Sequence, residues 1–187
     1  MGSWVPDRLL PHLKTFVGNA LGRRVEVFVD REGIHSGDNW PERLHRALAT
    51  SRCMVAVWHP LYFSSEWCRK EFGAMLLRES RLGLRTVQRP GGLVAPVRVN
   101  DGERFPAKAK AVQSVDCCRF WRDGEAFTRT ERYIEFQDVL EAWAADVAAC
   151  VRNAPEWDAS WLLPEWLPAE VAELHPQVIE DSFVGLE

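Results

Sequence analysis

Apolar residues near the start of the chain recur at three- and four-residue intervals, at Leu9, Leu10, Leu13, Phe16, Val17 and Leu21. This spacing puts them on one helix face and predicts a helix over 6–22. Pro6 suits its first turn and Gly22 its stop. In RVEVFVD (24–30) the period changes to two, the mark of a half-buried strand. REGIHSGDNW (31–40) carries two glycines and reads as a loop. PERLHRALATS (41–51) predicts a short helix with Leu44, Ala47 and Leu48 on one face.

CMVAVWH (53–59) is a nearly continuous apolar run, as expected of a strand covered on both faces. A loop, PLYFSS, leads to a helix over 66–80, which Ser64 or Ser65 can cap and whose positive end Glu66 favours. The basic, turn-rich stretch 81–92 precedes a second buried strand, LVAPVRV (93–99), and a turn at 100–106. AKAKAVQ has the makings of a short helix, and SVDCCRFW (114–121) reads as a last short strand. A long amphipathic helix follows over 130–153, with Ile134, Leu140, Trp143, Val147 and Val151 as its apolar stripe.

Strands alternating with helices predict an α/β fold with a mostly parallel sheet. In such sheets ligands bind beyond the carboxyl ends of the strands, which here lead into 30–40, 58–65 and 100–106. The segment 154–187 is punctuated by Pro155, Pro164, Pro168 and Pro176 and carries Trp157, Trp161 and Trp166. It reads as an extension to a domain spanning 1–153. Its tryptophans either dock on that domain or contact a partner.

The 187 residues, 47% hydrophobic and 27% charged, fit one soluble globular domain with extensions. A net charge of -4 gives no general attraction to nucleic acid or to an anionic membrane. The N-terminal stretch lacks the apolar core of a signal peptide, and no run reaches the about 18 apolar residues of a span. A cytoplasmic location is the expectation. The five cysteines show no two-residue gap of a zinc knuckle, so the expectation is buried, reduced thiols and no metal.

Glu71, in SSEWCRKEF (64–72), sits one turn beyond Trp67 and Cys68 on an otherwise apolar face, in the second turn of a helix that starts at the ligand-side rim. Helix periodicity alone also accommodates it as a solvated surface charge.

Taken together, three stretches resemble a Toll/interleukin receptor (TIR) domain of the bacterial kind. VFVDREGIHSGDNW is similar to the family's second strand and BB loop, with Asp30, Gly33, Gly37 and Trp40 in place. LHRALATSRCMVAVWHPLYFSSEWCRKEF is similar to the next helix, the third strand and the Ser-x-Trp-Cys-x-x-Glu motif, here Ser65, Trp67, Cys68 and Glu71. LVAPVRVNDGERFP is similar to the fourth strand and its loop. The resemblance covers roughly 6–125 and implies a flavodoxin-like three-layer sandwich.

Two departures stand out. The family's opening strand, normally in the middle of the sheet, has no counterpart before Pro6. An N-terminally shortened form, a strand supplied by a partner, or QVIEDSFVG (177–185) in the slot would each account for it. His59 stands where the family often has Ser.

The resemblance implies cleavage of NAD⁺, as substrate rather than cofactor, at the nicotinamide–ribose bond, with Glu71 as the catalytic carboxylate. It implies substrate contacts from Asp30, Ile34, Trp40, His59, Tyr62, Trp67 and Cys68. Structural roles compete: Trp40 as an anchor of the next helix, His59 as a structural histidine, Trp67 and Cys68 as core packing. The arginines at 78, 81, 85 and 89 suit a pyrophosphate, but they lie at the far end of the helix from Glu71, where a solvated surface is expected. The resemblance further implies a homo-oligomer or filament assembled through the BB loop, or assembly with a partner protein, in bacterial immune signalling. A non-catalytic interaction module is the alternative.

Overall fold

A computed structural model describes residues 3–29, 46–122, 124–158 and 161. The first helix, α1 (Leu10–Leu21), is led in by a π-helical turn at Val5–Leu9, and buries Leu10, Leu13 and Val17. Gly22 ends it at φ 66, a left-handed conformation that glycine adopts without a side-chain clash, and its N–H reaches the carbonyls of Gly18 and Asn19. Trp4 pins the lead-in turn. Its indole N–H donates to the Phe120 carbonyl at 2.9 Å, and its ring packs on Trp121 and Phe136.

Strands β1 (Met54–Trp58), β2 (Val94–Arg98) and β3 (Val115–Asp116) form a parallel sheet in the order β1-β2-β3. Met54 pairs with Val94 and Trp58 with Arg98; Val97 and Arg98 pair with Val115 and Asp116. The connections are helical: α2 (Pro60–Ser64), α3 (Glu66–Arg81) and α4 (Ala107–Lys110), with α5 (Glu131–Asn153) after the sheet.

The two-residue period of the strands sorts side chains into two cores. Ala95, Val97 and Val99 face α1 and α5 in a core with Phe120, Phe136, Leu140 and Val147. Val94, Ala56 and Trp58 face the other way, onto Tyr62, Phe63, Phe72 and Met75 of α2 and α3. The result is a three-layer α/β sandwich of the flavodoxin-like kind. Each large apolar side chain taken out of water contributes about 1.5–3 kcal/mol. Trp58 also meets the rings of Phe63, Phe72 and Phe105 at centroid distances of 5.5–6.0 Å.

Several expectations need correction. Residues 24–29 alternate between exposed and half-buried, as a strand would, but pair with none of the described strands. Val25 rests against the first core while Phe28 is 48% exposed. Alternation creates a face; a ladder needs a neighbour, and β1 offers these residues none. Only Val115–Asp116 of 114–121 is strand, because the chain turns into a 3₁₀ helix at Cys118–Phe120 that buries Phe120. The stretch 60–64 is helical rather than a loop. In α5 the buried face runs through Phe136, Leu140, Trp143, Ala144, Val147 and Ala148, leaving Ile134 59% exposed.

Residues 46–50 are helical, with Ala49 buried, and Ser51 is not; 41–45 of the expected helix lie outside the described residues, as does 177–185. All five cysteines are free thiols; only Cys117 is fully buried, the others being half-buried. Among the described residues no helix is long and apolar enough to cross a membrane.

Candidate active site

The carboxyl end of β1 passes through His59 into α2, and Ser65 joins α2 to α3. Ser65 has an extended backbone, and its hydroxyl oxygen accepts from the Cys68 N–H at 3.4 Å, an N-cap that fixes the first turn of α3. Arg69 ties the junction from the other side by donating to the carbonyls of Phe63 and Ser64. Glu66, in the first turn, pairs with Lys70. The four-residue helix spacing then puts Glu71 one turn beyond Trp67, in a region where α2 folds back against α3.

Glu71 is half-buried. Beside it lies the Tyr62 phenol, which is buried. Burial pushes that phenol well above its ordinary value, and the charges of Glu71 and Cys68 push it the same way. Tyr62 is therefore a neutral hydroxyl at any physiological pH, able to donate.

The same strand end concentrates unmet polar groups. The Trp58 indole N–H, the His59 Nε2 and the Tyr62 hydroxyl are all buried and find no hydrogen-bond partner among the described residues. An unmet buried polar group costs about 1–3 kcal/mol. Three within five residues make this rim the point where a polar ligand would recover the most. Burial lowers His59, so its ring is neutral at pH 7.

Of the site residues expected from sequence, His59, Tyr62, Cys68 and Glu71 lie together at this rim. Cys68 is half-buried against the second core, in keeping with a packing role. Trp67 is not core packing: it is 40% exposed, with the Lys70 ammonium 5.0 Å from its ring centroid. Asp30, Ile34 and Trp40 lie outside the described residues. Trp58 was missed from sequence. Its signal is an aromatic with a polar atom at the last position of a buried strand, next to the rim.

The arginines divide: Arg81 and Arg89 are exposed, as expected, whereas Arg78 and Arg85 are not. Arg78 is buried and donates to the carbonyls of Leu48, Ala49 and Ser51. Arg85 is paired with Glu79, and Arg89 donates to the Leu82 carbonyl at 2.8 Å. At the carboxyl end of β2, Arg98 is engaged by Asp116 at 2.6 Å and by the carbonyls of Asn100 and Asp101, so it shapes the following turn.

No curated protein and no solved structure matches the chain. A family model described as "TIR domain" matches residues 15–131, well over half of the 187. That stretch takes in the second half of α1, the sheet, Glu71 and the rim around it, and the chain belongs to the TIR-domain family.

Proposed function

We propose that the protein is an NAD⁺ glycohydrolase in which Glu71 is the catalytic carboxylate. The observation that carries this reading is the pairing of a half-buried Glu71 with the buried, neutral Tyr62 hydroxyl at the carboxyl end of β1. The chemistry needs one acid. Nicotinamide leaves C1′ of the ribose as a neutral pyridine and takes the bonding pair, so no general acid has to protonate it. Positive charge grows on the ribose, and a carboxylate held in a partly dry site opposes it more strongly than water does. In this reading Tyr62 donates to a ribose or carboxamide oxygen, which its buried, unmet hydroxyl supports.

Water attack at C1′ then gives ADP-ribose and releases a proton. Attack by a ring nitrogen of the adenine gives a cyclic product instead. Immune signalling in a bacterial cytoplasm, with assembly through 31–40, is the setting this activity fits.

A second reading, an interaction module without catalysis, draws on Leu61, which is 67% exposed, and Trp67, both apolar side chains on the elements that carry the site. Following nicotinamide release from NAD⁺ across a range of protein concentrations, with Glu71→Ala alongside, separates the two. The enzyme reading expects release that rises with concentration and is lost in the variant. Equal inertness of both proteins overturns it and leaves the module.

A further inference from the structure

At the opposite, amino-terminal end of the sheet, the chain entering β1 meets the last turn of α5. The odd-numbered positions of β1 face α5, and Cys53 continues that row. Cys150 lies one turn before the end of α5. Both thiols are half-buried and pack against the same core. The Cys53 S–H donates to the Cys150 sulfur, and the Ala95 N–H faces the Cys53 sulfur.

The surroundings treat the two sulfurs differently. Cys150 is drawn down by the hydrogen bond from Cys53 and by the positive charge of Arg85, whereas Cys53 is driven up by that same bond and by burial. Arg85 is fixed there by two bonds to Glu79. Burial works against the lowering at Cys150, which is still the more readily ionised sulfur of the two, with the protonated Cys53 thiol in contact. The remaining cysteines contrast with it: burial pushes Cys117 up to about 12 and Cys118 up to about 11. Among the described residues no third ligand joins the pair to make a metal site.

We propose that Cys53 and Cys150 form a redox pair that hydrogen peroxide closes into an intrachain disulfide, tethering the end of α5 to the start of β1. Cys150 gives up its proton and attacks the peroxide as the thiolate; an S–O bond forms, the O–O bond breaks, and the departing hydroxide takes up that proton as water. The Cys53 sulfur then gives up its proton and attacks the sulfur of the Cys150 sulfenic acid. The S–S bond forms, the S–O bond breaks, and hydroxide leaves with that proton as a second water. Two thiols and one peroxide give one disulfide and two waters; the sulfurs lose two electrons and the peroxide gains them. Closure brings the sulfurs to about 2.05 Å.

The proposal is independent of NAD⁺ cleavage, since the pair lies at the other end of the sheet from Glu71. The test treats the reduced, native full chain with hydrogen peroxide, blocks remaining thiols with N-ethylmaleimide, and maps unreduced peptides by mass spectrometry. The expected result is one linked pair, Cys53 with Cys150, two hydrogens lighter and reversed by dithiothreitol, with Cys150 oxidising about tenfold faster than Cys118. Cys53→Ser is expected to leave a sulfenic acid at Cys150 that dimedone traps. Absence of that link in the native chain, a link between other cysteines, or oxidation of Cys150 no faster than Cys118 overturns the proposal. The decisive readout is on the unaltered protein, so a misfolded variant does not obscure it.

Discussion

Arg85 grips the Glu79 carboxylate with two nitrogens, Nε at 2.7 Å and Nη2 at 2.9 Å. The same carboxylate accepts the backbone N–H groups of Leu93 and Val94 at the entrance to β2. Glu79 is buried, and Arg85 reaches it from a left-handed backbone at φ 56, unusual for a residue with a side chain. A Cβ on Gly92 would come within 2.1 Å of Arg85 Nη2 and 2.4 Å of Glu79 Oε1. The ion pair therefore occupies space that only glycine leaves. Gly92→Ala is expected to lower stability by about 1–3 kcal/mol in urea titrations. In an Arg85→Ala background part of that penalty should vanish, the contact with Glu79 remaining. An additive double mutant would show that the clash lies elsewhere.

Trp161 lies over Arg78, ring centroid to guanidinium carbon 3.8 Å, and is 6% exposed. This part of the C-terminal extension docks on the domain, whereas Trp157 is 49% exposed. Arg78 is costly to bury, and burial pushes its guanidinium down to about 10. Three carbonyls and the indole face offset that cost. Trp161→Ala is expected to destabilise by about 2–4 kcal/mol. Arg78 makes all three carbonyl contacts through Nη1, so Arg78→Lys, which loses the planar group stacked on Trp161, should cost about 1–3 kcal/mol. A double-mutant cycle by thermal unfolding should return a favourable coupling between them; zero coupling would reduce Trp161 to plain apolar burial.

Tyr62 separates stability from activity. Its hydroxyl is buried without a partner among the described residues, so Tyr62→Phe should leave the melting temperature unchanged or raise it slightly. If that hydroxyl meets the substrate, the same change should reduce nicotinamide release about tenfold or more. A variant that is destabilised yet fully active would place the hydroxyl in structure instead.

Mild acid should weaken the fold. His12, hydrogen-bonded through Nε2 to the Tyr133 hydroxyl at 2.7 Å, and His59 are both lowered by burial from the ordinary 6.5. Their folded values lie below the unfolded one, so the unfolded chain takes up protons first. Stability should be full above about pH 6.5 and fall as pH drops toward the folded values. Denaturant midpoints for the native chain and a His12→Gln/His59→Gln double variant should diverge across that window. Parallel curves would rule the histidines out.

Much of this was legible in sequence because periodicity and caps are local. Gly22 stopped α1, Ser65 capped α3, and the apolar runs at 53–59 and 93–99 became β1 and β2 within a residue at each end. The misses share a physical origin. A strand is a property of a pair, so 24–29 and 114–121 carried the right pattern without the neighbours to complete it. In α5 the stripe was read from Ile134, whereas the buried ring is Phe136, packed against Trp4 and Phe120. At the site, Glu71 was visible through its spacing from Trp67 and Cys68. The unmet groups of Trp58, His59 and Tyr62 were not, since burial without a partner is a three-dimensional fact.

Trp4 bonded to Phe120, and Arg152 bonded to the Ala20 carbonyl, join the two ends of the described chain. The apolar stripe of α1 thus cannot complete its packing until α5 has been synthesised more than a hundred residues later. At cellular elongation rates this delay is on the order of 10 s. For that interval α1 stands with part of its apolar stripe uncovered.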